Sequence, residues 1–341
     1  MVLAPGRVMT IAVLGYGLIG KERVKALHDL HRRGFPVERV LVFDPQVFQA
    51  KGPLLPEIAT AISSLEQVLS CNPSLVIVAT PHDAAVKLLH EILPSSTRVL
   101  VEKPLGRCLE EAFSIVSKIS SDDHLLVGFN YRFFPGIRQA IRDALSGQFG
   151  TLINVSMVLG HGGAPGMEKG WKFDPIRAGG GCLIDPGIHL LDLCNLLAPE
   201  GLEPVGGTAW SGFWNTGIEE EVHLLLKSRE ITFNLQVSVV RWRSTFRMEI
   251  HGTEGYGIVT GRGRSYGKQF YVRGRRWGWQ NAPSQADSEE TVLESDANDS
   301  FRDELAAILT GDAGNPPPSS AASALEVMRL YENCRTMLGL R

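Results

Sequence analysis

Cysteine is scarce in this chain and never closely paired: Cys71, Cys108, Cys182, Cys194 and Cys334 are scattered and form no CxxC. An odd, dispersed set argues against a disulfide framework or a structural zinc site and for a reducing, cytoplasmic setting. A charge excess of one sign is missing too. With 34 Lys and Arg against 37 Asp and Glu, the net charge is −3, so nothing global attracts nucleic acid or a membrane surface. Long apolar runs are also wanting. Val8–Leu14 is too short for a signal-peptide core or a membrane span, and it leads into a glycine turn as a first strand would. What remains is ordinary globular composition, 44% hydrophobic and 21% charged, in 341 residues, enough for two domains.

The strand Val8–Leu14 is followed by Gly15-Tyr16-Gly17-Leu18-Ile19-Gly20, a helical pattern to about Arg33, and a second strand, Val40–Phe43, ending at Asp44. In a dinucleotide-binding βαβ unit the first glycine makes the turn. The second admits the pyrophosphate, and the third lets helix and strand approach. An acidic residue ending the second strand accepts from the adenosine ribose. Asp44 stands there with no adjacent arginine for a 2′-phosphate, which favours NAD over NADP. Strands Ser74–Thr80, Arg98–Val101 and His124–Gly128 then alternate with helices, predicting a doubly wound parallel sheet. Ligands bind beyond the carboxyl ends of such strands, so Asp44, Thr80, Pro81, His82, Glu102, Lys103 and Asn130 are candidates by position.

After Asn130-Tyr131-Arg132 the pattern changes. A helix over Pro135–Leu145, a strand over Thr151–Leu159 and successive strands from Val205 predict a second, α+β domain with a large, mostly antiparallel open-faced sheet. The expected division is 1–129 and 130–341. A basic and aromatic stretch, Arg262–Trp279, has a composition that also grips single strands of nucleic acid. The acidic residues that follow it (Asp287, Glu289, Glu290, Glu294, Asp296) argue instead for a hairpin meeting a neighbouring subunit or an anionic group on a substrate. Gly311–Ser320 reads as a loop before a final packing helix, Ala321–Leu338.

The stretch Gly179–Leu193 holds three glycines, then an apolar run interrupted by Asp185, His189 and Asp192. On one helix these three fall within a wedge of roughly 60°. Asp185 before Pro186 suits an N-cap, and Asp192 could orient His189 from one turn away. Taken alone, the stripe is equally a structural device or a site.

Gly15-Tyr-Gly-Leu-Ile-Gly20, Thr80-Pro81, Glu102-Lys103-Pro104-Leu105-Gly106 and Gly179-Gly-Gly-Cys-Leu-Ile-Asp185-Pro-Gly-Ile-His189 together resemble the glucose–fructose oxidoreductase, inositol dehydrogenase and rhizopine-catabolism (Gfo/Idh/MocA) family. Gly128-Phe-Asn-Tyr-Arg-Phe133 is similar to that family's domain junction. The resemblance implies a Rossmann domain, a second domain whose sheet makes homodimer or homotetramer contacts, and a sugar, cyclitol or related polyol as substrate. It implies that Lys103, Asp185 and His189 meet at the nicotinamide, Lys103 stabilising the reacting oxygen and His189 acting as acid and base. Arg132, Trp171 and Arg177 are expected on the substrate side. One departure is Ala85, where many members carry histidine; His82 lies nearer the proline. Two rivals share these residues: an enzyme that retains NAD through an internal redox cycle, and a non-catalytic dinucleotide-binding sensor.

Overall fold

The first apolar run forms strand β1 (Met9–Leu14), in which Ile11, Ala12, Val13 and Leu14 are fully buried. Burial of consecutive residues requires cover on both faces, the condition of a parallel sheet between helices. The computed structural model describes residues 8–49, 55–275, 288–293, 299–312 and 314–340, and the chain divides into two units.

In the first unit β1 is followed by α1 (Leu18–Arg32), β2 (Val37–Phe43), α2 (Pro45–Gln49), β3 (Ala59–Ile62) and α3 (Leu65–Ser70). Then come β4 (Leu75–Val78), α4 (His82–Ile92), β5 (Val99–Glu102), α5 (Leu109–Val116) and β6 (Leu125–Gly128). Strand order is β3-β2-β1-β4-β5-β6, with every neighbouring pair parallel. The order reverses at β1, where such sheets open a crevice beyond their strand ends. The short elements α2, β3 and α3, of 5, 4 and 6 residues, carry too little pattern to be anticipated.

The second unit holds α6 (Pro135–Leu145), β7 (Leu152–Gly160), α7 (Pro175–Ala178), α8 (Ile188–Leu197), β8 (Glu203–Trp210), β9 (Glu221–Ser228) and β10 (Ile231–Ser238). It continues with β11 (Thr245–Gly252), β12 (Gly255–Thr260), β13 (Gln269–Arg275) and β14 (Ser288–Leu293). Among the described residues these strands make an eight-stranded sheet, β14-β13-β12-β11-β7-β10-β9-β8, antiparallel except at β7–β10. Strands β9 and β11 alternate, as does β10 from Thr232 to Val237. Val222, Leu224, Phe233, Leu235, Phe246 and Met248 are buried, while His223, Lys227, Asn234 and Arg247 are exposed. A sheet covered on one face and open on the other reads this way.

Two expectations are corrected. Residues 130–341 do not form a single body, because 298–325 return to the first unit. There α9 (Asp299–Thr310) lays Phe301, Leu305 and Ile308 into the core shared by Val24 and Leu27 of α1, and β15 (Ser319–Ser320) pairs antiparallel with β6. The division falls again inside α10 (Ala321–Leu338), after Leu325. The helix expected to carry Asp185, His189 and Asp192 begins only at Ile188, so Asp185 is neither helical nor an N-cap. The basic and aromatic stretch forms a short 3-10 turn at Arg264–Tyr266 and then β13, which pairs with β12; Arg276, Trp277, Trp279, Asp287, Glu294 and Asp296, with the side chains of Glu289 and Glu290, lie outside the described residues. Among the described residues no helix is long and apolar enough to cross a membrane.

Candidate functional site

The glycine turn after β1 uses each glycine differently. Gly15 has φ +91°, and a Cβ there would lie 2.6 Å from the Ala79 carbonyl oxygen. A Cβ at Gly20 would lie 2.0 Å from the Gly15 carbonyl oxygen, so the start of α1 and the end of β1 touch backbone to backbone. A Cβ at Gly17 would meet nothing within 4 Å. Gly17 is also the N-cap of α1, with no side-chain cap and no acidic residue in the first turn, which leaves amide donors for an anion. Leu18 is exposed and Ile19 half-buried at that helix start.

Asp44 follows β2 directly and accepts from the Tyr16 and Gln46 amides, each at 2.7 Å. The carboxylate thereby ties the glycine turn to the end of β2 and keeps acceptor capacity for further hydroxyls. Beyond β4 the Thr80 hydroxyl oxygen is buried without a hydrogen-bond partner, next to Pro81. An open glycine, an uncapped helix start, an anchored acid and an orphaned hydroxyl are features that a bound dinucleotide would satisfy. His82 opens α4 and is buried; Lys103 follows β5 and is half-buried.

Two candidates of this unit have other work. The Glu102 carboxylate, expected at the cofactor, receives the Arg23 Nε at 2.6 Å, and Arg23 reaches Glu304 of α9 at 2.6 Å. Arg23 is fully buried, and burial without both carboxylates would be prohibitive, so Glu102 serves the core here. Asn130, also expected at the cofactor, donates its side-chain amide to Ser300 at 2.9 Å. The Arg23–Glu304 and Asn130–Ser300 bonds hold the returning segment, which local sequence does not announce.

In the second unit the three glycines fit against two side chains from distant positions. The buried Glu219 carboxylate accepts from the amides of Gly181 at 2.9 Å and Leu183 at 3.1 Å, and its carbonyl accepts from Cys182 at 2.8 Å. A Cβ at Gly181 would lie 2.1 Å from the Glu219 carbonyl oxygen, and one at Gly180 would lie 2.5 Å from the Tyr331 hydroxyl. That hydroxyl donates to the Gly179 carbonyl at 3.1 Å. Burial pushes the Glu219 carboxyl up, and the amides pull it back.

The turn so held presents Asp185, whose Oδ2 lies 2.7 Å from the Lys172 ammonium. Asp185 borders a cavity of about 30 Å³ that His161, Lys172, Phe173, Cys182 and Val239 also line. Burial pushes the His161 imidazole down; Asp185 opposes this, and Lys172 and Arg262 add to it. Its Nδ1 accepts from the Gly163 amide at 3.1 Å, which fits a neutral ring. Trp171 lies under the Lys172 ammonium, 5.7 Å from the ring centroid, and Arg177 is exposed on α7.

His189, in the first turn of α8, is 4% exposed and stacks on Tyr131, with ring centroids 3.8 Å apart and planes 9° from parallel. The Arg262 guanidinium lies 4.9 Å from the Tyr131 centroid and 3.9 Å from that of Tyr266. Burial raises the Tyr131 phenol pKa, so the ring stays neutral; Arg262 pulls the other way. Asp192 does not orient His189. It forms a two-point ion pair with Arg132, whose Nε donates at 2.8 Å, and the two side chains are 0% and 1% exposed. Arg132, expected to face substrate, is thus corrected to a buried tie between the segment before α6 and α8. The sequence reading missed Tyr131, His161, Lys172, Glu219 and Arg262. Of these only Arg262 lay in a stretch that composition marks out. Among the described residues no cluster could hold a metal ion.

Together these groups offer a cradle for a dinucleotide in one unit and, in the other, the His189 imidazole stacked on Tyr131 and an acid–lysine pair on the wall of a small cavity. The family model described as an oxidoreductase family with an NAD-binding Rossmann fold matches residues 9–129, and that of the GFO/IDH/MocA C-terminal domain matches 137–257. Rhizopine catabolism protein MocA of Rhizobium meliloti is 28% identical over 196 residues, 57% of this chain and 58% of that protein. The 1,5-anhydro-D-fructose reductase of Ensifer adhaerens is 26% identical over 205 residues, 58% of this chain and 60% of that one. The matched region thus spans less than two thirds of either relative. A levoglucosan dehydrogenase structure with NADH and levoglucosan superposes with a TM-score of 0.81 at 15% identity, over 98% of both chains, which is a likeness of fold. By both family models, matched in order along it, this chain belongs to the GFO/IDH/MocA oxidoreductase family.

Proposed function

We propose that the protein oxidises a secondary alcohol of a sugar, cyclitol or sugar derivative, or reduces the matching ketone, with NAD preferred over NADP. The observation that carries this reading is the open cradle at Gly15–Gly20, with Gly17 unobstructed and α1 uncapped, in a chain of this family. A bound nicotinamide supplies the hydride acceptor. The Gly17 turn and the head of α1 would hold the pyrophosphate. Asp44, already fixed by two amides, would accept from the ribose hydroxyls, and its charge would repel a 2′-phosphate.

In this reading Lys103 hydrogen-bonds the reacting oxygen and stabilises its developing negative charge. The His189 imidazole takes the hydroxyl proton as the hydride leaves carbon, and returns it in the reverse direction. The stack on Tyr131 holds the imidazole plane, so the ring need not be ordered when substrate arrives. Asp185 and Lys172 would contact substrate hydroxyls from the cavity wall. The open face of the eight-stranded sheet is proposed as a homo-oligomer contact, which sedimentation of the purified protein tests.

The deciding experiment follows reduced nicotinamide absorbance with NAD or NADP against sugars, cyclitols and sugar acids, with His189→Ala in parallel. The expected result is turnover in one substrate class that the variant loses by about 10²–10⁴-fold, with cofactor binding kept. Turnover unchanged in His189→Ala removes the imidazole from the mechanism.

A further inference from the structure

Arg262 is a half-buried member of the basic and aromatic stretch, and its surroundings are unusual for a cation. It has no ion-pair partner among the described residues, and its Nε is buried without a hydrogen-bond partner. Instead the half-buried guanidinium rests against two phenol rings, Tyr131 at 4.9 Å and Tyr266 at 3.9 Å. Tyr131 is the ring on which His189 stacks. Aromatic faces favour a cation and fix its plane, but a ring face gives the in-plane Nε–H no acceptor. A guanidinium donor that stays unused near a reaction centre marks a place for an acceptor brought by a ligand.

The local charges say which acceptor. The other cation nearby, Lys172, is matched by Asp185 at 2.7 Å, and His161 is held toward neutrality by burial. Among the described residues no carboxylate pairs with Arg262. A planar fork with one positive charge suits a carboxylate, which is planar and carries one negative charge; a phosphate dianion would bring twice that.

Resting on the oxidoreductase reading, we propose that the substrate is an acidic sugar and that Arg262 binds its carboxylate while a ring hydroxyl faces His189. Neutral sugars, which leave the guanidinium unmatched, are the poorer ligands.

The test is calorimetric binding, in the presence of NAD, of D-glucuronate, D-galacturonate and D-gluconate against D-glucose, D-galactose and glucose 6-phosphate, for the wild type and for Arg262→Gln and Arg262→Lys. The expected result is one or more of the carboxylates binding at least tenfold tighter than its neutral congener. Arg262→Gln should then cost about 10–100-fold for the acid and less than threefold for the neutral sugar. Arg262→Lys should keep the preference for acid with weaker binding, which also shows that the site still folds. No carboxylate preference in the wild type, a preference for the phosphate ester, or equal losses for acid and neutral sugar in Arg262→Gln each overturn the proposal. Absorbance of reduced nicotinamide is read on the same samples. Acid that binds through Arg262 without being oxidised overturns the oxidoreductase reading and leaves this one standing, whereas oxidation of neutral sugars alone does the reverse.

Discussion

The molecule contains two glycine-rich turns that look alike in sequence and differ in what surrounds them. Gly15–Gly20 is tight at its ends and open in its middle, where Gly17 faces no protein atom within 4 Å. Gly179–Gly181 is closed, with the Glu219 backbone against one glycine and the Tyr331 hydroxyl against another. In the first turn a missing side chain leaves room for a ligand. In the second it leaves room for the protein itself, so that the turn carrying Asp185 is built rigidly onto Glu219 and Tyr331. Glycine marks close approach in both, and only the identity of the approaching group separates binding from architecture.

That contrast breaks most visibly at the closed turn. Gly181→Ala would set a methyl 2.1 Å from a backbone oxygen that has no rotamer with which to retreat. The expected loss is about 3 kcal/mol or more of stability, in the range of strained or overpacked core positions. Chemical denaturation reads it; a loss under about 1 kcal/mol would show that the Glu219 backbone yields. At the open turn the signs reverse. Gly17→Ala meets nothing and asks for an ordinary φ of −70°, so stability should change by no more than about 0.5 kcal/mol. NAD affinity should nevertheless fall about tenfold, because the methyl occupies the approach to the helix amides. Fluorescence titration with NADH tests this, and unchanged affinity would mean that the pyrophosphate does not pass Gly17.

The same contrast explains what could be read in the sequence. Helices α6 and α10 stand where their apolar spacing placed them, over Pro135–Leu145 and Ala321–Leu338. Strands β1, β2, β4, β5 and β6 fall within a few residues of their apolar runs, because each signal is local. The errors sit where a distant residue decides. The turn at Asp185 is shaped by Glu219, 38 positions from Gly181, rather than by the helical period of α8. Asp192 looked like a partner for His189 one turn away, yet pairs with Arg132 across 60 positions. The stripe of α9 is ordinary helical spacing, but nothing in it says that its groove lies on α1. A carboxylate and an amide that sequence position alone would give to a site, Glu102 and Asn130, are held by the fold. Position beyond a strand end nominates a residue; its partners decide its role.

Asp44 is where the open turn can be sharpened with the smallest effect. Its carboxylate does two things at once. It holds the Tyr16 and Gln46 amides at 2.7 Å each, and in the proposed reading it meets the ribose. Asp44→Ser removes the charge and keeps an oxygen able to accept from one of those amides, so the turn should lose about 1 kcal/mol. NADP should gain on NAD because the repulsion of a 2′-phosphate is gone. A shift of about tenfold in the ratio of the two dissociation constants is expected, most of it from weaker NAD binding. If both cofactors weaken equally, Asp44 acts only through the amides and the ribose lies elsewhere. If neither changes, the end of β2 is not part of the cradle, and the openness at Gly17 must serve some other ligand.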